Sequence, residues 1–166
     1  MNRFDSFLRG RRNVMFWKRK RKKEEEEERN QQEIDVSIDE VRQAIKQCAS
    51  DMPMGISLRS LVNDDHSINF KLLKNILKGI PKQKFYMSKE TFEVFEDAEK
   101  AKTIDKVQVA VDQYISEKNE IPVMPGDPAF RISYFLIKEY IHHEHPDYPL
   151  YIDPNDRLVT HRRPNQ

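Results

Sequence analysis

Apolar residues recur at helical spacing in two stretches of the chain, Ile68–Leu77 and Ile132–Ile141, and the two carry the same pattern. At an offset of 64 residues, Ile132 matches Ile68, Leu136 matches Leu72 and Lys138 matches Lys74. Tyr134, Ile137 and Ile141 stand where Phe70, Leu73 and Leu77 stood, so the apolar face keeps its size. Asn69 and Ser133 are good N-cap types, and Ile68 or Ile132 just before them can staple onto Leu73 or Ile137. The pattern predicts a helix in each stretch, the first ended by Gly79 and the second stopping before Pro146.

The repetition extends further. Ser37 with Glu40 fits a capping box, and Val41, Ala44, Ile45 and Cys48 continue at helical spacing. At an offset of 66, Asp105, Val107, Ala110 and Gln113 match Asp39, Val41, Ala44 and Gln47. Extended segments follow each of these helices. One runs from Pro53 and Gly55 through Ile56, Leu58, Leu61 and Val62 to a turn at Asn63–His66. The other runs from Ile121 to Val123 and a turn at Pro125–Pro128, where Pro fixes φ and Gly supplies the unusual one.

A hairpin pattern closes each half. Phe85–Met87, a turn at Ser88–Glu90 and Phe92–Phe95 correspond to Leu150–Ile152, a turn at Asp153–Asp156 and Leu158–Thr160. Lys89–Ala101 also reads as a helix capped by Ser88. The expected fold is α+β: two tandem copies of a helix, extended segment, helix and β-hairpin module, about residues 34–100 and 101–166, packed about a pseudo-twofold axis. A unit of this size is marginal for burying a core alone, so a shared core is expected.

Charge separates an arm from this body. Of 166 residues, 34% are charged, above the globular norm of about 25%. Residues 1–23 hold ten Lys and Arg against one Asp, whereas residues 34–166 hold 18 against 21 Asp and Glu. Residues 1–33 form a charged arm expected to be disordered, within which Lys18–Gln32 lacks an apolar stripe to bury and reads as a solvated tether, helical at most in part. Met15 opens a sequence that would itself make an ordinary bacterial N-terminus. Cys48 is the only cysteine, there is no apolar run of transmembrane length, and no secretory signal pattern is present. The expected location is cytoplasmic, with peripheral attachment at the inner face of the cell membrane as an extension of it.

Phe16, Trp17, Lys18, Arg19, Lys20, Arg21, Lys22 and Lys23 form the strongest binding signal. Besides a solubilising tail, they suit an anionic membrane surface, with Trp17 at headgroup level, or nucleic acid, with the cations on phosphates and the aromatics stacked on bases. Glu24–Glu28 follow directly and are repelled by either anion, which predicts weak, reversible membrane binding. His142 and His145, with His143 and Glu144 between them, allow an i,i+3 metal pair, although imidazoles at a helix end also suit the dipole. Cys48 could be a nucleophile, but its place on the apolar stripe makes it a small core residue. Asp64, Asp65 and Asp127 could meet a cation, but they also sit where turns use Asp. No Gly-rich phosphate loop, His-Glu-x-x-His or Gly-x-Ser-x-Gly occurs. The expectation is a non-enzymatic interaction protein without cofactor, whose body docks a protein partner through the groove between the modules. The alternative is a nucleic-acid-binding protein using the arm.

Asp39–Arg42, Gly55–Arg59, Phe85–Ser88 and Met124–Pro128 together make the chain resemble a small uncharacterised family of spore-forming Gram-positive bacteria, a domain of unknown function. The resemblance covers about residues 34–163, and the Met-Phe-Trp-Lys-Arg start at Met15 shares it. It implies no catalytic residue.

Overall fold

The computed structural model describes residues 18–23, 32–142 and 145–164. It is a mixed α+β structure of four helices and three small sheets among these residues. Residues 18–23 form α1, with every side chain exposed. The rest divides into two compact units, one holding the residues up to Cys48 with Phe70–Gln83, the other Ala49–Asn69 with Lys84 onward.

In the smaller unit, β1 (Glu33–Ile34) pairs in parallel with β2 (Ile80–Pro81). Helix α2 (Ile38–Asp51) starts with the expected capping box. The Ser37 amide donates to Glu40 Oε2 at 2.7 Å and the Glu40 amide to Ser37 Oγ at 3.3 Å. These bonds hold the Glu40 carboxyl below the usual carboxylate range. The α2 stripe buries Val41, Ala44 and Ile45, while Cys48 is only half-buried rather than a core residue.

The stretch 68–77 is not one helix. Ile68 donates its amide to the Phe85 carbonyl and Asn69 its amide to the Leu61 carbonyl, so both amides are committed to extended pairing. What remains is a 3-10 turn at Phe70–Leu72 and a four-residue α3 (Lys74–Leu77) with no side-chain cap. So short a helix has little to offset the cost of its first turn. Lys78, at φ 61°, ends it in the left-handed region. Gly79 follows for a different reason: a Cβ there would sit 2.6 Å from the Gln32 carbonyl oxygen and 2.7 Å from Ile34 Cγ2, so only glycine lets β1 approach.

The larger unit is built on α4 (Ala98–Lys118). Its apolar positions Ala101, Ile104, Val107, Val111 and Tyr114 recur at three and four residues and are buried. Asp97 caps its start, accepting from the Glu99 amide at 2.9 Å, and Asn119, at φ 55°, closes its end. The helix therefore begins before Asp105, and Lys89–Ala101 resolves as the hairpin reading followed by the first residues of α4. Hairpin β3–β4 (Tyr86–Met87, Val94–Phe95) and hairpin β5–β6 (Tyr151–Ile152, Val159–Thr160) are both antiparallel, and α4 packs on both. Phe95, Ile137, Leu150, Ile152 and Val159 complete the core cluster with the α4 residues.

The backbone around the two hairpins corresponds bond for bond. Ile68 donates to Phe85 and Ile132 to Leu150, both at 2.9 Å. Met87 donates to His66 and Ile152 to Phe130, at 2.8 and 3.0 Å. Ser88 donates to Glu93 and Asp153 to Leu158, both at 2.9 Å. Positive φ recurs at His66 and Phe130, and again at Phe92 and Arg157. The second stretch, 132–141, likewise forms turns instead of a continuous helix, with Ile132 and Ser133 donating across to Leu150 and Pro122 and Leu136 and Tyr140 closing single turns onto Ser133 and Ile137. The Pro125–Pro128 turn forms as expected, with Gly126 at φ 75°.

Candidate functional site

The first hairpin is tied to α4 by one carboxylate. Asp105 accepts from the Ser88 hydroxyl, from the amides of Lys89 and Glu90 at 3.0 and 3.2 Å, and from His66 Nε2 at 2.7 Å. Ser88 is fully buried and in turn accepts from the Thr91 amide and hydroxyl at 2.8 and 3.0 Å. Hydrogen bonds to an ionised acceptor are the stronger kind, so this turn is firmly held. The acceptor is fully used and leaves little for a ligand.

The second hairpin is held differently. Buried Gln108 accepts from the Val159 amide at 2.6 Å and donates to Asp112 Oδ1 at 2.8 Å. Glu93, arriving from the first hairpin, accepts from the Thr160 hydroxyl at 2.5 Å, from the His161 amide at 3.2 Å and from His161 Nδ1 at 2.6 Å. Burial pushes the Glu93 carboxyl up, but the His161 and Thr160 hydrogen bonds and the His161 charge outweigh it and hold the group below the usual carboxylate range.

With His161 fixed in this way, its ring stands 4.9 Å from that of Phe95 and forms one wall of a cleft of about 390 Å³. Phe95, Ile104, Tyr148, Pro149 and Tyr151 form the apolar lining. Lys100 and Arg163 supply its cations, with the His161 imidazole beside them, and among the described residues no carboxylate lines it. Burial pushes the Tyr148 phenol up, so that hydroxyl stays protonated at neutral pH. The cleft offers an apolar floor, hydroxyls and cations, the set suited to an anion with a bulky apolar part. Sequence reasoning passed over Lys100, His161 and Arg163. The available signal was two tyrosines, Tyr148 and Tyr151, on a hairpin whose return strand runs into His161–Arg163.

Of the residues singled out from the sequence, Lys18, Arg19, Lys20, Arg21, Lys22 and Lys23 lie together on exposed α1, while Phe16, Trp17 and Glu24–Glu28 lie outside the described residues. His143 and Glu144 do too. His145 stacks flat on Tyr134, ring centroids 4.7 Å apart, with Nδ1 3.0 Å from the Pro146 carbonyl oxygen. Among the described residues no three His, Cys, Asp or Glu side chains cluster as metal ligands would. Asp65 accepts from the Ser67 hydroxyl and amide, and Asp127 from the Ala129 amide, so both carboxylates act in their turns. Among the described residues no helix is long and apolar enough to cross a membrane.

No curated protein and no solved structure matches the chain. Residues 31–161 match the model of a family described as a protein of unknown function, DUF3939. The match spans both compact units and all the β-hairpins, and the protein belongs to that family.

Proposed function

We propose that the protein is a non-enzymatic interaction protein, attached weakly to an anionic membrane surface by its arm while its body docks a protein partner. The supporting observation is α1, six consecutive cations on an exposed helix. Successive helical residues point about 100° apart, so the six radiate around the axis and only about half can face a flat surface at once. At about 1 kcal/mol per Lys or Arg near anionic lipid, the attraction is about 3 kcal/mol and vanishes within a Debye length. Trp17 and Phe16 add apolar anchoring at the headgroups, and Glu24–Glu28 oppose it. Attachment is therefore reversible and salt-sensitive.

Cosedimentation of the full chain with phosphatidylglycerol vesicles tests this. Binding at low salt, release near about 0.5 M salt and a blue shift of Trp17 emission are expected. Trp17 is the only tryptophan, so an unmoved emission on vesicle addition would contradict the arm reading. The same cations serve the alternative, duplex DNA. That reading demands a log-log salt slope of about −0.9 per phosphate neutralised, and a flat response removes it.

For the body, we read the recurring bonds around the two hairpins, with the repeated apolar pattern, as support for tandem duplication of one module. Because α4 serves both hairpins, residues 34–100 or 101–166 produced alone should not melt cooperatively. A sharp independent melt of either half would contradict the shared core.

A further inference from the structure

We infer that the cleft beside the second hairpin is the docking site of an acidic segment of the partner protein, one that places a single large apolar side chain among carboxylates. This rests on the reading of the body as a partner-docking unit and specifies the partner's chemistry. The size of the cleft, about 390 Å³, suits one bulky side chain with its flanking backbone. Its lining of Tyr148, Tyr151 and Phe95 beside Arg163 has the residue types that dominate protein–protein hot spots.

Charge selects the occupant. Some cations of the body are neutralised by neighbours, as in Lys102–Glu99, Lys82–Asp35, Arg59–Glu90 and Arg131–Asp127, while others, such as Lys78, Lys118 and Arg157, stand exposed with no ion-pair partner among the described residues. His161 is held by Glu93. Lys100 and Arg163 also have no ion-pair partner among the described residues, and unlike those surface cations they line the cleft. Both sit at the cleft with no carboxylate between them. Two such cations match one or two carboxylates next to an apolar residue. They are too few for nucleic acid, whose binders typically engage six to ten phosphates.

The test uses the full chain at about 0.15 M salt, where attraction beyond about 8 Å is screened. Labelled octapeptides with a central Phe, Leu or Trp flanked by Glu and Asp are titrated by fluorescence anisotropy against the same peptides flanked by Lys. Members of the acidic panel should bind at least about tenfold tighter than their Lys counterparts. Lys100→Glu with Arg163→Glu should remove that preference, with the thermal melt and vesicle cosedimentation unchanged. If charge reversal lowers the melt, Lys100→Gln with Arg163→Gln gives the same reading by neutralisation. The inference is overturned if no acidic peptide binds, or if binding survives in the double variant, which would place it on the basic arm. It is also overturned if the double variant loses vesicle binding, which would assign the cleft to a lipid headgroup. Failure of vesicle binding alone, with cleft-dependent peptide binding intact, removes only the arm reading.

Discussion

The two β-hairpins of the larger unit share a backbone and a helix, yet they are anchored to it by opposite chemistry. At the first, an ionised side chain from α4, Asp105, collects four donors from Ser88, Lys89, Glu90 and His66. At the second, α4 contributes neutral Gln108, and the carboxylate comes instead from Glu93 on the first hairpin's turn. Arg59 further secures the first turn through Glu90 at 2.8 Å. Polar groups around the first hairpin are thus consumed in holding it, whereas the second leaves Lys100 and Arg163 uncommitted beside an aromatic floor. One helix thus holds two hairpins, the first through a carboxylate and the second through a neutral amide.

The most severe way to break this contrast is Asp105→Ala, which strands a buried hydroxyl, two turn amides and an imidazole at once. A loss of about 3 kcal/mol in chemical denaturation is expected, since donors to a charged acceptor are left unsatisfied. Gln108→Leu should cost less, about 1–2 kcal/mol, because the one buried amide it orphans is that of Val159. Equal losses for the two substitutions would mean that the anchors do not differ in kind.

Glu93→Gln has the smallest expected effect and is read through pH. The folded-state pKa of Glu93 lies below its unfolded value, so its contribution is present above the unfolded pKa, near 4.5, and is lost as pH falls through the folded value. The variant should therefore lose less stability than the parent between about pH 5 and pH 3, the window in which such a carboxylate titrates. At neutral pH its penalty should be about 1 kcal/mol in the same denaturation measurement, that of a charged acceptor becoming neutral.

Local signals were legible where one residue type fixes local geometry. The Ser37–Glu40 capping box, the Pro125–Pro128 turn and the Asp153–Asp156 turn could all be read from the chain, since their hydrogen bonds are made within a few residues. The stretches 68–77 and 132–141 misled because helical spacing says nothing about distant acceptors. The amides of Ile68 and Ile132 are tied to Phe85 and Leu150, and the residues after them close only single turns, such as Leu73 onto Phe70 and Leu136 onto Ser133. The start of α4 was displaced for a related reason: Asp97 caps it in a segment whose mixed pattern also suited a helix from Ser88. The cleft was invisible because Lys100, Tyr148 and Arg163 are far apart in sequence and meet only through the packing of α4 on the second hairpin.

Backbone hydrogen exchange of the full chain with and without the tightest acidic octapeptide tests the division between a rigid and a recognising hairpin most directly. Peptide binding should slow exchange at 148–151 and 159–163 and leave 86–91 unchanged. Equal protection of both hairpins, or protection confined to 86–91, would contradict it.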